Sequence, residues 1–322
     1  MKFSGFILAL FAAILLAYLF PYALASLPLS SIINVGISLI FFFYGLKLAP
    51  ADLKAGFLNG KVHLLIQLTT FLLFPLLTFA FIPFFETGTT SDIWLAIFFL
   101  GVLPSTVSSS VVMVALAGGN LPTAIFNASI SGLIGILVTP LWLGIFIADT
   151  GEFELLNIIQ KLLLQIVLPL LAGLLMQRFL GHFARKHSST LSLFDKSVII
   201  LIVFSSFSNA FISGLFSSID ILDLAKLSGI VIILFFSVYW ITDYLSRMFK
   251  FNLEDTITTK FCGTKKSLVH GSVMGKIIFG SSASLSLFLL PIMLYHILQL
   301  LLIAYFAEKY RKMTLRDETL PK

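Results

Sequence analysis

The sequence predicts an all-α polytopic membrane protein with ten transmembrane helices. Of its 322 residues, 58% are apolar and only 11% are charged, whereas about 25% of the residues in a soluble domain are charged. The mean hydropathy is +1.05, and 34 phenylalanines are more than one soluble core of this size can bury. The apolar residues also fall into ten stretches, each close to the roughly 20 residues that a transmembrane helix needs.

The same composition excludes several classes of protein. A soluble enzyme and a nucleic-acid-binding protein are both excluded despite a pI of about 9.3, because a soluble surface must be mostly polar. The apolar content also excludes disorder. Cys262 is the single cysteine, so no disulfide can form within the chain. We therefore expect one membrane domain over 1–322.

The ten apolar stretches follow one another through short connections, bounded by charged residues, Pro, Gly or Asn. The first also resembles a secretory signal, because Lys2 and an apolar run precede Ala23-Leu24-Ala25. That run is longer than a signal core, so we count it as a span and keep a cleaved signal as the alternative. The predicted spans are 4–25, 29–49, 61–84, 93–117, 121–147, 155–179, 195–217, 222–246, 256–279 and 283–307.

The distribution of lysine and arginine predicts the orientation. With the N-terminus inside, sixteen of the 21 lie at the start, in the inner connections or in the tail, and three lie in outer connections. The remaining two are Lys265 and Lys266, within the ninth span. Because these residues accumulate on the cytoplasmic side, we predict a multi-pass protein of the cell (plasma or inner) membrane with both termini cytoplasmic. Residues 311–322 are the predicted cytoplasmic tail.

Helix breakers and polar residues recur at matching places in the two halves. Span four carries Pro104 before a hydroxyl-rich run, and span nine carries Cys262-Gly263-Thr264-Lys265-Lys266-Ser267. Pro140 and Pro291 lie in the middle of spans five and ten. This pattern is typical of a transporter with inverted repeats. The two predicted five-helix repeats cover about 1–150 and 151–310.

Span four holds a candidate site for a cation. Pro104 removes a backbone hydrogen bond, and in hydrocarbon the freed carbonyl must line a cavity or be buried in protein. Freed carbonyls and hydroxyl oxygens together suit a small hard cation. The alternative is that small residues here let helices pack closely. The candidate site residues are Ser105, Thr106, Ser108, Ser109 and Ser110.

Span five adds polar residues at membrane depth. Asn120-Leu121-Pro122 forms a turn that opens this span. Asn127 lies about one turn further in, where its amide needs a partner, and Ser129 follows it. For Asn127, a structural hydrogen bond between helices and a role in the site are both open. Elsewhere in the spans, the candidates for close helix contacts are Gly36, Gly45, Gly132, Gly135 and Gly173.

Lys265 and Lys266 are the sharpest feature, about ten residues from either end of the ninth span. A charge at that depth costs roughly 2.5–3.5 kcal/mol and marks a functional site. Neighbours on a helix point about 100° apart, so both lysines fit only if the segment is broken, and we expect one of them to snorkel or to bind exposed carbonyls. Two cations without adjacent carboxylates predict an anionic substrate. Thr264, Ser267 and His270 complete this polar segment.

Several segments together resemble one known family, the bile acid:sodium symporter superfamily, and within it the YfeH-like branch. The resemblance covers almost the whole chain, and the segment in span nine is specific to that branch. The segments are Ile40-Phe41-Phe42-Phe43-Tyr44-Gly45-Leu46-Lys47-Leu48, Leu73-Phe74-Pro75-Leu76-Leu77, Leu103-Pro104-Ser105-Thr106-Val107, Ala117-Gly118-Gly119-Asn120 and Phe261-Cys262-Gly263-Thr264-Lys265-Lys266-Ser267-Leu268.

The resemblance implies a panel domain of helices 1, 2, 6 and 7. It also implies a core domain of helices 3–5 and 8–10, whose broken helices 4 and 9 cross. In sodium-coupled relatives, ions bind beside that crossing. Ser109 and Ser110 fall at the relatives' helix-four ligands, within one residue, and Asn127 or Ser129 approximates the helix-five ligands. The resemblance thus makes Ser109, Ser110 and Asn127 candidate sodium ligands.

Three positions depart from the ligands of the sodium-coupled relatives. Thr70 takes the place of a helix-three glutamine, Phe261 that of a glutamate, and Lys265 that of a helix-nine glutamine. Losing a carboxylate and gaining an ammonium group both disfavour a cation there. Our hypothesis is that Lys265 or Lys266 replaces one sodium ion. Uniport, proton coupling and coupling to one sodium at helix four then remain open.

Together these observations predict a secondary active, symporter-like transporter that moves a small or amphipathic organic anion by alternating access. Its partners are that anion and the lipid bilayer, with no nucleic acid. Sodium is the candidate coupling ion, and no other cofactor and no catalytic residue is predicted. The rival interpretation, from animal members of the branch, is a non-transporting membrane regulator of ion (calcium) homeostasis. The sequence makes no prediction of the oligomeric state.

Overall fold

The computed structural model describes residues 5–47, 59–85, 91–106, 108–147, 155–214, 220–280 and 284–319. Within these ranges all regular secondary structure is helical. The helices are α1 (Gly5–Leu19), α2 (Leu29–Lys47), α3 (Gly60–Phe84), α4 (Asp92–Val102), α5 (Ser108–Ala117), α6 (Leu121–Ile147), α7 (Leu155–Leu162, Leu163–Val167 and Leu168–Lys186), α8 (Ser188–Ser213), α9 (Ile221–Met248), α10 (Leu253–Thr264), α11 (Leu268–Phe279) and α12 (Ser284–Thr319).

Seven of the helices in these ranges are long and apolar enough to cross a membrane, namely α2, α3, α6, α7, α8, α9 and α12. Two more, α1 and α4, are apolar but shorter. The prediction of an all-α polytopic membrane protein is therefore confirmed. The count of ten spans and the inverted repeat remain predictions.

Two helix boundaries differ from the predicted spans. The first span was expected to reach residue 25, but α1 ends at Leu19, because Pro21 disfavours a helical conformation at the residue before it. Residues 180–194 were expected to form a connection, yet α7 continues to Lys186 and α8 begins at Ser188. Between Leu180 and Lys186 the chain carries no proline, and alanine and basic residues favour helix.

Two helices contain a π-helical turn at the same distance before a proline. In α3 the turn covers Thr69–Leu73 and precedes Pro75. In α7 it covers Leu163–Val167 and precedes Pro169. Since proline has no N–H to donate, each helix shifts its hydrogen bonds by one residue ahead of the proline. The shift leaves a carbonyl without its usual partner.

The chain divides into two compact units, each built from three separate stretches. The first unit holds the helices of spans one, two, six and seven, and also the second half of span nine. The second unit holds spans three, four and eight and the first half of span nine. The assignment to panel and core domains remains a prediction. The first unit is Met1–Ala49, Pro140–Ala225 and Val269–Leu290, and the second is Pro50–Thr139, Lys226–Leu268 and Pro291–Lys322.

In the first unit, α2 packs closely against α7. A Cβ added to Gly45 would collide with the carbonyl oxygen of Leu170, and one added to Gly173 would collide with that of Phe42. The two backbones approach this closely because both positions lack a side chain. At the end of α2, Lys47 forms an ion pair of 3.5 Å with Asp195 of α8.

In the second unit, aromatic packing joins α3 to α4. The indole of Trp94 stacks on Phe79 of α3 at 6.0 Å between ring centroids, and its Nε1–H donates to the carbonyl oxygen of Thr78 at 3.0 Å. Trp94 is fully buried, so its single donor is satisfied, as burial requires. This contact fixes the first turn of α4, the helix that ends where span four is interrupted.

Candidate functional site

Span four is interrupted between α4, which ends at Val102, and α5, which begins at Ser108. The freed backbone groups find partners on α6. The N–H of Ser105 donates to Oγ of Ser131 at 3.0 Å, and Oγ1 of Thr139 donates to the carbonyl of Val102 at 2.8 Å. Gly135 lies between these residues on the same helical face, where a Cβ would press on the ring of Pro104. This face of α6 thus supplies hydrogen-bond partners to the interrupted backbone and leaves room for the ring of Pro104.

Span nine is interrupted between α10 and α11, at residues 265–267. The side chain of Gln299 on α12 satisfies both backbone groups of Lys266. Its Oε1 accepts from the N–H of Lys266 at 2.8 Å, and its Nε2–H donates to the carbonyl of Lys266 at 2.8 Å. The hydroxyl of Tyr295 donates to the carbonyl of Thr264 at 2.5 Å. Buried backbone groups need such partners, so α12 completes the second interruption.

The two interruptions are hydrogen-bonded directly to each other. Oγ of Ser105 donates to the carbonyl of Cys262 at 2.6 Å. The N–H of Ser267 donates to the carbonyl of Pro104 at 2.9 Å. All of these residues lie in the second unit. Each broken span thus provides hydrogen-bond partners for backbone groups of the other. Non-helical backbone is tolerated at membrane depth when it is paired within the protein in this way.

Lys266 is enclosed by carbonyl oxygens. Its Nζ donates to the carbonyls of Thr70 at 2.8 Å, Gly101 at 2.6 Å and Leu103 at 2.8 Å. The same atom lies 4.2 Å from the centroid of the Phe74 ring, in a cation–π contact. An ammonium group has three N–H donors and a neutral amine has two. Three acceptors and an aromatic face therefore complement the ammonium form.

Two of the carbonyl oxygens around Lys266 lack the N–H donor that a regular α-helix would give them. In a regular α-helix the carbonyl of Thr70 would accept from the N–H of Phe74. In the π turn this N–H donates to Thr69 instead, and Pro75 has no N–H to offer. The carbonyl of Gly101 loses its usual donor in the same way, because the N–H of Ser105 is bonded to Ser131.

Lys265 has a different environment from its neighbour. Its side chain is buried, and its Nζ donates to the carbonyl of Ser109 at 2.6 Å. This is its one hydrogen bond to the part of the chain that the structure describes. A protonated Lys265 therefore retains two N–H donors for another acceptor. Of the two lysines, Lys265 is the one with N–H donors left over among the described residues.

The hydroxyl-rich run in span four is largely bonded to itself. Oγ1 of Thr106 lies 2.9 Å from Oγ of Ser109 and 2.7 Å from Oγ of Ser110. Val107 lies outside the described residues, and so does the side chain of Ser108. The structure thus brings together Thr106, Ser109 and Ser110, close to the Lys265 contact on Ser109. The assignment of sodium to this run remains a prediction.

Asn127 belongs to a second polar cluster, between α3 and α6. Its Nδ2 lies 2.5 Å from Nδ1 of His63, and its Oδ1 accepts from Nε2 of Gln67 at 3.0 Å. Nδ2 also donates to the carbonyl of Thr123 at 2.9 Å. Asn127 is fully buried, so the interhelical hydrogen bond that the sequence left open does exist. None of its bonds reaches Ser109 or Ser110, the other two candidate sodium ligands.

The remaining candidate residues have separate surroundings. The hydroxyls of Thr70 and Ser129 each donate to their own helix, to the carbonyls of Ile66 at 2.8 Å and Ile125 at 2.9 Å. Oγ1 of Thr264 is buried without a partner among the described residues. His270 packs edge-on against Phe41 at 5.7 Å, in the first unit, whereas the two lysines belong to the second unit.

Sequence reasoning missed four residues that complete these clusters: His63 and Gln67 on α3, and Tyr295 and Gln299 on α12. Their only signal was polarity within an apolar span, since each lies among long runs of Leu, Ile and Phe. Polar residues at membrane depth need partners. Gln299 and its partner Lys266 are 33 residues apart, so the pairing leaves no short motif in the sequence.

The sequence profile of the SBF-like CPA transporter family matches residues 4–312. The chain belongs to this family. An uncharacterised protein of Pseudomonas aeruginosa is 37% identical over 311 residues, or 96% of this chain and 93% of the relative. The candidate symporter YfeH of Escherichia coli is 31% identical over 310 residues, with the same shares. Sodium/bile acid cotransporter 7 of Rattus norvegicus is 30% identical over 285 residues, or 85% of this chain and 82% of the relative.

Membership of the SBF-like CPA transporter family confirms the resemblance found in the sequence. It also shows that this protein belongs to a family of membrane transporters. The matched region of this SBF-like protein includes both interruptions and both lysines. The relatives' coverage shows that the similarity extends over nearly the full length of each chain, not over one motif.

Proposed function

We propose that this protein is a secondary transporter that moves a small or amphipathic organic anion across the cell membrane by alternating access. The observation that carries the proposal is the position and hydrogen bonding of Lys265. Its amino group is buried beside the meeting point of two broken spans, and with one hydrogen bond it has unused N–H donors when protonated. A carboxylate or sulfonate is the natural acceptor for such a group. Names of relatives that include bile acid support an amphipathic substrate.

Lys266 has the role of a tethered cation. Three carbonyl oxygens facing one point are the kind of site that would hold a small monovalent cation, and here the ammonium group takes that place. This supports the hypothesis that a lysine replaces one sodium ion. Coupling to a sodium ion at the Thr106, Ser109 and Ser110 hydroxyls, proton coupling and uniport are the remaining modes.

The remaining features of the proposal follow from the sequence. The transporter has ten spans in two inverted repeats, a panel and a core domain, and both termini in the cytoplasm of a plasma or inner membrane. Contacts in the second unit support the prediction that three connections lie on the same side of the membrane. Oδ1 of Asp255 accepts from the amides of Asn59 and Asn120 at 2.9 and 2.8 Å, and all three lie at predicted inner ends of spans.

The proposal is tested by uptake into proteoliposomes. The probes are labelled taurocholate and a panel of amphipathic carboxylates and sulfonates, with sodium or choline as the cation outside. We expect saturable uptake of at least one anion by the wild type. Lys265→Gln should lose this uptake at least tenfold, because the counter-charge is gone, whereas Lys265→Arg should retain part of it.

Two results would contradict the proposal. Uptake that requires sodium and is unchanged in both Lys265→Gln and Lys266→Gln would exclude the lysines as substrate counter-charge and as sodium replacement. No flux of any probe, from protein whose melting temperature shows it to be folded, would instead favour a non-transporting regulator.

A further inference from the structure

The last two turns of α7 present a cationic face in the first unit. Arg178, His182 and Arg185 are exposed and line an open cavity of about 650 Å³ together with Leu174, Leu175 and Gln177. The spacing of four and then three residues puts the three side chains on one helical face. Two guanidinium groups and an imidazole thus converge on one space large enough for a phosphate group and its substituents.

These three side chains lack the acidic partners that several other basic residues of the protein have. Lys47 pairs with Asp195, Arg247 with Asp243, and Arg311 with Glu308. By contrast, Arg178, His182 and Arg185 make no ion pair or hydrogen bond with any residue in the ranges that the structure describes. Their charge is therefore available to an external anion.

The apolar side chains on the same face continue into the predicted bilayer. Leu168, Leu171 and Leu175 precede Arg178 by ten, seven and three residues, which keeps them within about 80° of it around the helix. They are 58%, 49% and 78% exposed. The guanidinium of Arg178 itself lies 4.5 Å from the centroid of the Phe179 ring, at the junction of the apolar and cationic parts.

The position of this face along the helix corresponds to the membrane surface. Between Lys161 and Arg178, α7 carries no charged residue, and the 15 residues from Leu162 to Met176 at 1.5 Å each span roughly 22 Å, most of the hydrocarbon thickness. Arg178 follows directly after this length. By the lysine and arginine distribution, this end is the cytoplasmic one, where anionic lipids meet basic residues.

We propose that this face is a binding site for an anionic phospholipid. The phosphate accepts hydrogen bonds from Arg178, His182 and Arg185, and an acyl chain lies along Leu175, Leu171 and Leu168. Arginine suits a phosphate because its planar fork can donate two parallel bonds. The inference rests on the geometry of α7 alone and is independent of the transported substrate.

The test measures lipid retained by the full-length protein after reconstitution. Protein is incorporated into nanodiscs of phosphatidylcholine containing one-fifth phosphatidylglycerol or cardiolipin, then extracted in mild detergent, and bound lipid is counted by native mass spectrometry. We expect the wild type to retain the anionic lipid over phosphatidylcholine. Arg178→Gln with Arg185→Gln should lose at least four-fifths of this retention.

A matched control removes the same charge elsewhere on the predicted inner side. Lys309→Gln with Lys312→Gln should retain the lipid as the wild type does, because these exposed residues lie on α12, away from the cavity residues in sequence and in the other unit. Far-UV circular dichroism and melting temperature establish that both double variants are folded.

Two outcomes would overturn the proposal. Equal loss of anionic lipid in both double variants would show that general positive charge, and not this site, attracts the lipid. Displacement of the bound lipid by millimolar glycerol phosphate would show that a soluble phosphate is the ligand, since an acyl chain held along the leucines gives the lipid a large advantage.

Discussion

At the residue scale, the two adjacent lysines show how a broken backbone assigns different roles to identical side chains. The backbone at 265–267 is not helical, so the two side chains reach different parts of the second unit. Lys266 meets three carbonyls released by a π turn and by the end of α4, whereas Lys265 meets one carbonyl of α5. Three acceptors use all the N–H donors of a Lys266 ammonium group, whereas one acceptor leaves two donors of a Lys265 ammonium group unused.

Lys266→Met should destabilise the protein more than any other single change at the site. Removing the ammonium group leaves three buried carbonyls without a donor, at roughly 1–3 kcal/mol for each such group. We expect the melting temperature in detergent to fall by several degrees. Lys265→Met is the matched control, since it removes the same charge but only one hydrogen bond, and its melting temperature should fall much less.

Sodium provides a second readout of the same variant. If the three carbonyls form a cation cage, sodium chloride should raise the melting temperature of Lys266→Met above the value in choline chloride. The wild type should show no such difference from this cage, because its own ammonium occupies it. Equal melting temperatures for Lys266→Met and wild type would exclude the cage as a stabilising feature.

Asn127 and Ser129 offer a second comparison within one helix. Asn127→Ala removes bonds to both His63 and Gln67 across two helices, while Ser129→Ala removes a bond to its own helix. We expect Asn127→Ala to lower the free energy of unfolding by about 1–3 kcal/mol and Ser129→Ala by less than half as much. Similar melting temperatures for the two variants would show that the interhelical bonds do not hold α3 to α6.

At the element scale, the close approach of α2 and α7 depends on positions without a side chain. Gly45 and Gly173 face each other's backbones, so a methyl group at either position must move a helix, because the colliding atoms are carbonyl oxygens and not flexible side chains. Such small-residue contacts replace the hydrophobic effect as the source of helix association in lipid.

Gly45→Ala should therefore destabilise the first unit. We expect a loss of about 1–3 kcal/mol and a lower yield of folded protein in detergent. Gly229→Ala is the control, because a Cβ there meets no atom within 4 Å and alanine favours helix over glycine. The expectation is wrong if both variants melt at the wild-type temperature.

The interruptions of spans four and nine were predictable from the sequence, but the detailed geometry of the site was not. Pro104 with its hydroxyl run, and two adjacent lysines at membrane depth, each require a broken helix for local reasons. The cage around Lys266 depends instead on Thr70, Gly101 and Leu103, whose side chains have no part in it. A backbone carbonyl has no sequence signature, so its release by a π turn cannot be read from residue types.

At the scale of the whole molecule, the predicted orientation determines which residues face the cytoplasm. Sixteen cationic residues against three predict that the cationic face of α7 and the tail lie on one side of the membrane. Asp220, between α8 and α9, is predicted to lie on the other side. This orientation can be measured at single positions.

Single-cysteine labelling checks this orientation. Cys262 is 1% exposed, so the wild type should not react with a membrane-impermeant maleimide. In intact cells Asp220→Cys should be labelled without permeabilisation, and Lys312→Cys only after it. Labelling of Lys312→Cys in intact cells would show that the C-terminus is outside and would overturn the even number of spans.

The interleaving of the two units in the chain has a consequence for biosynthesis. The first unit begins with Met1–Ala49 and is completed only by Val269–Leu290, whereas the second begins with Pro50–Thr139 and is completed only by Pro291–Lys322. Helices inserted early must therefore remain in the lipid with polar groups unpartnered, such as the carbonyls of Thr70, Gly101 and Leu103, until Lys266 and the segments after it are synthesised. A stalled or truncated nascent chain would hold neither unit complete, so quality-control proteases should remove it whole rather than release a stable half.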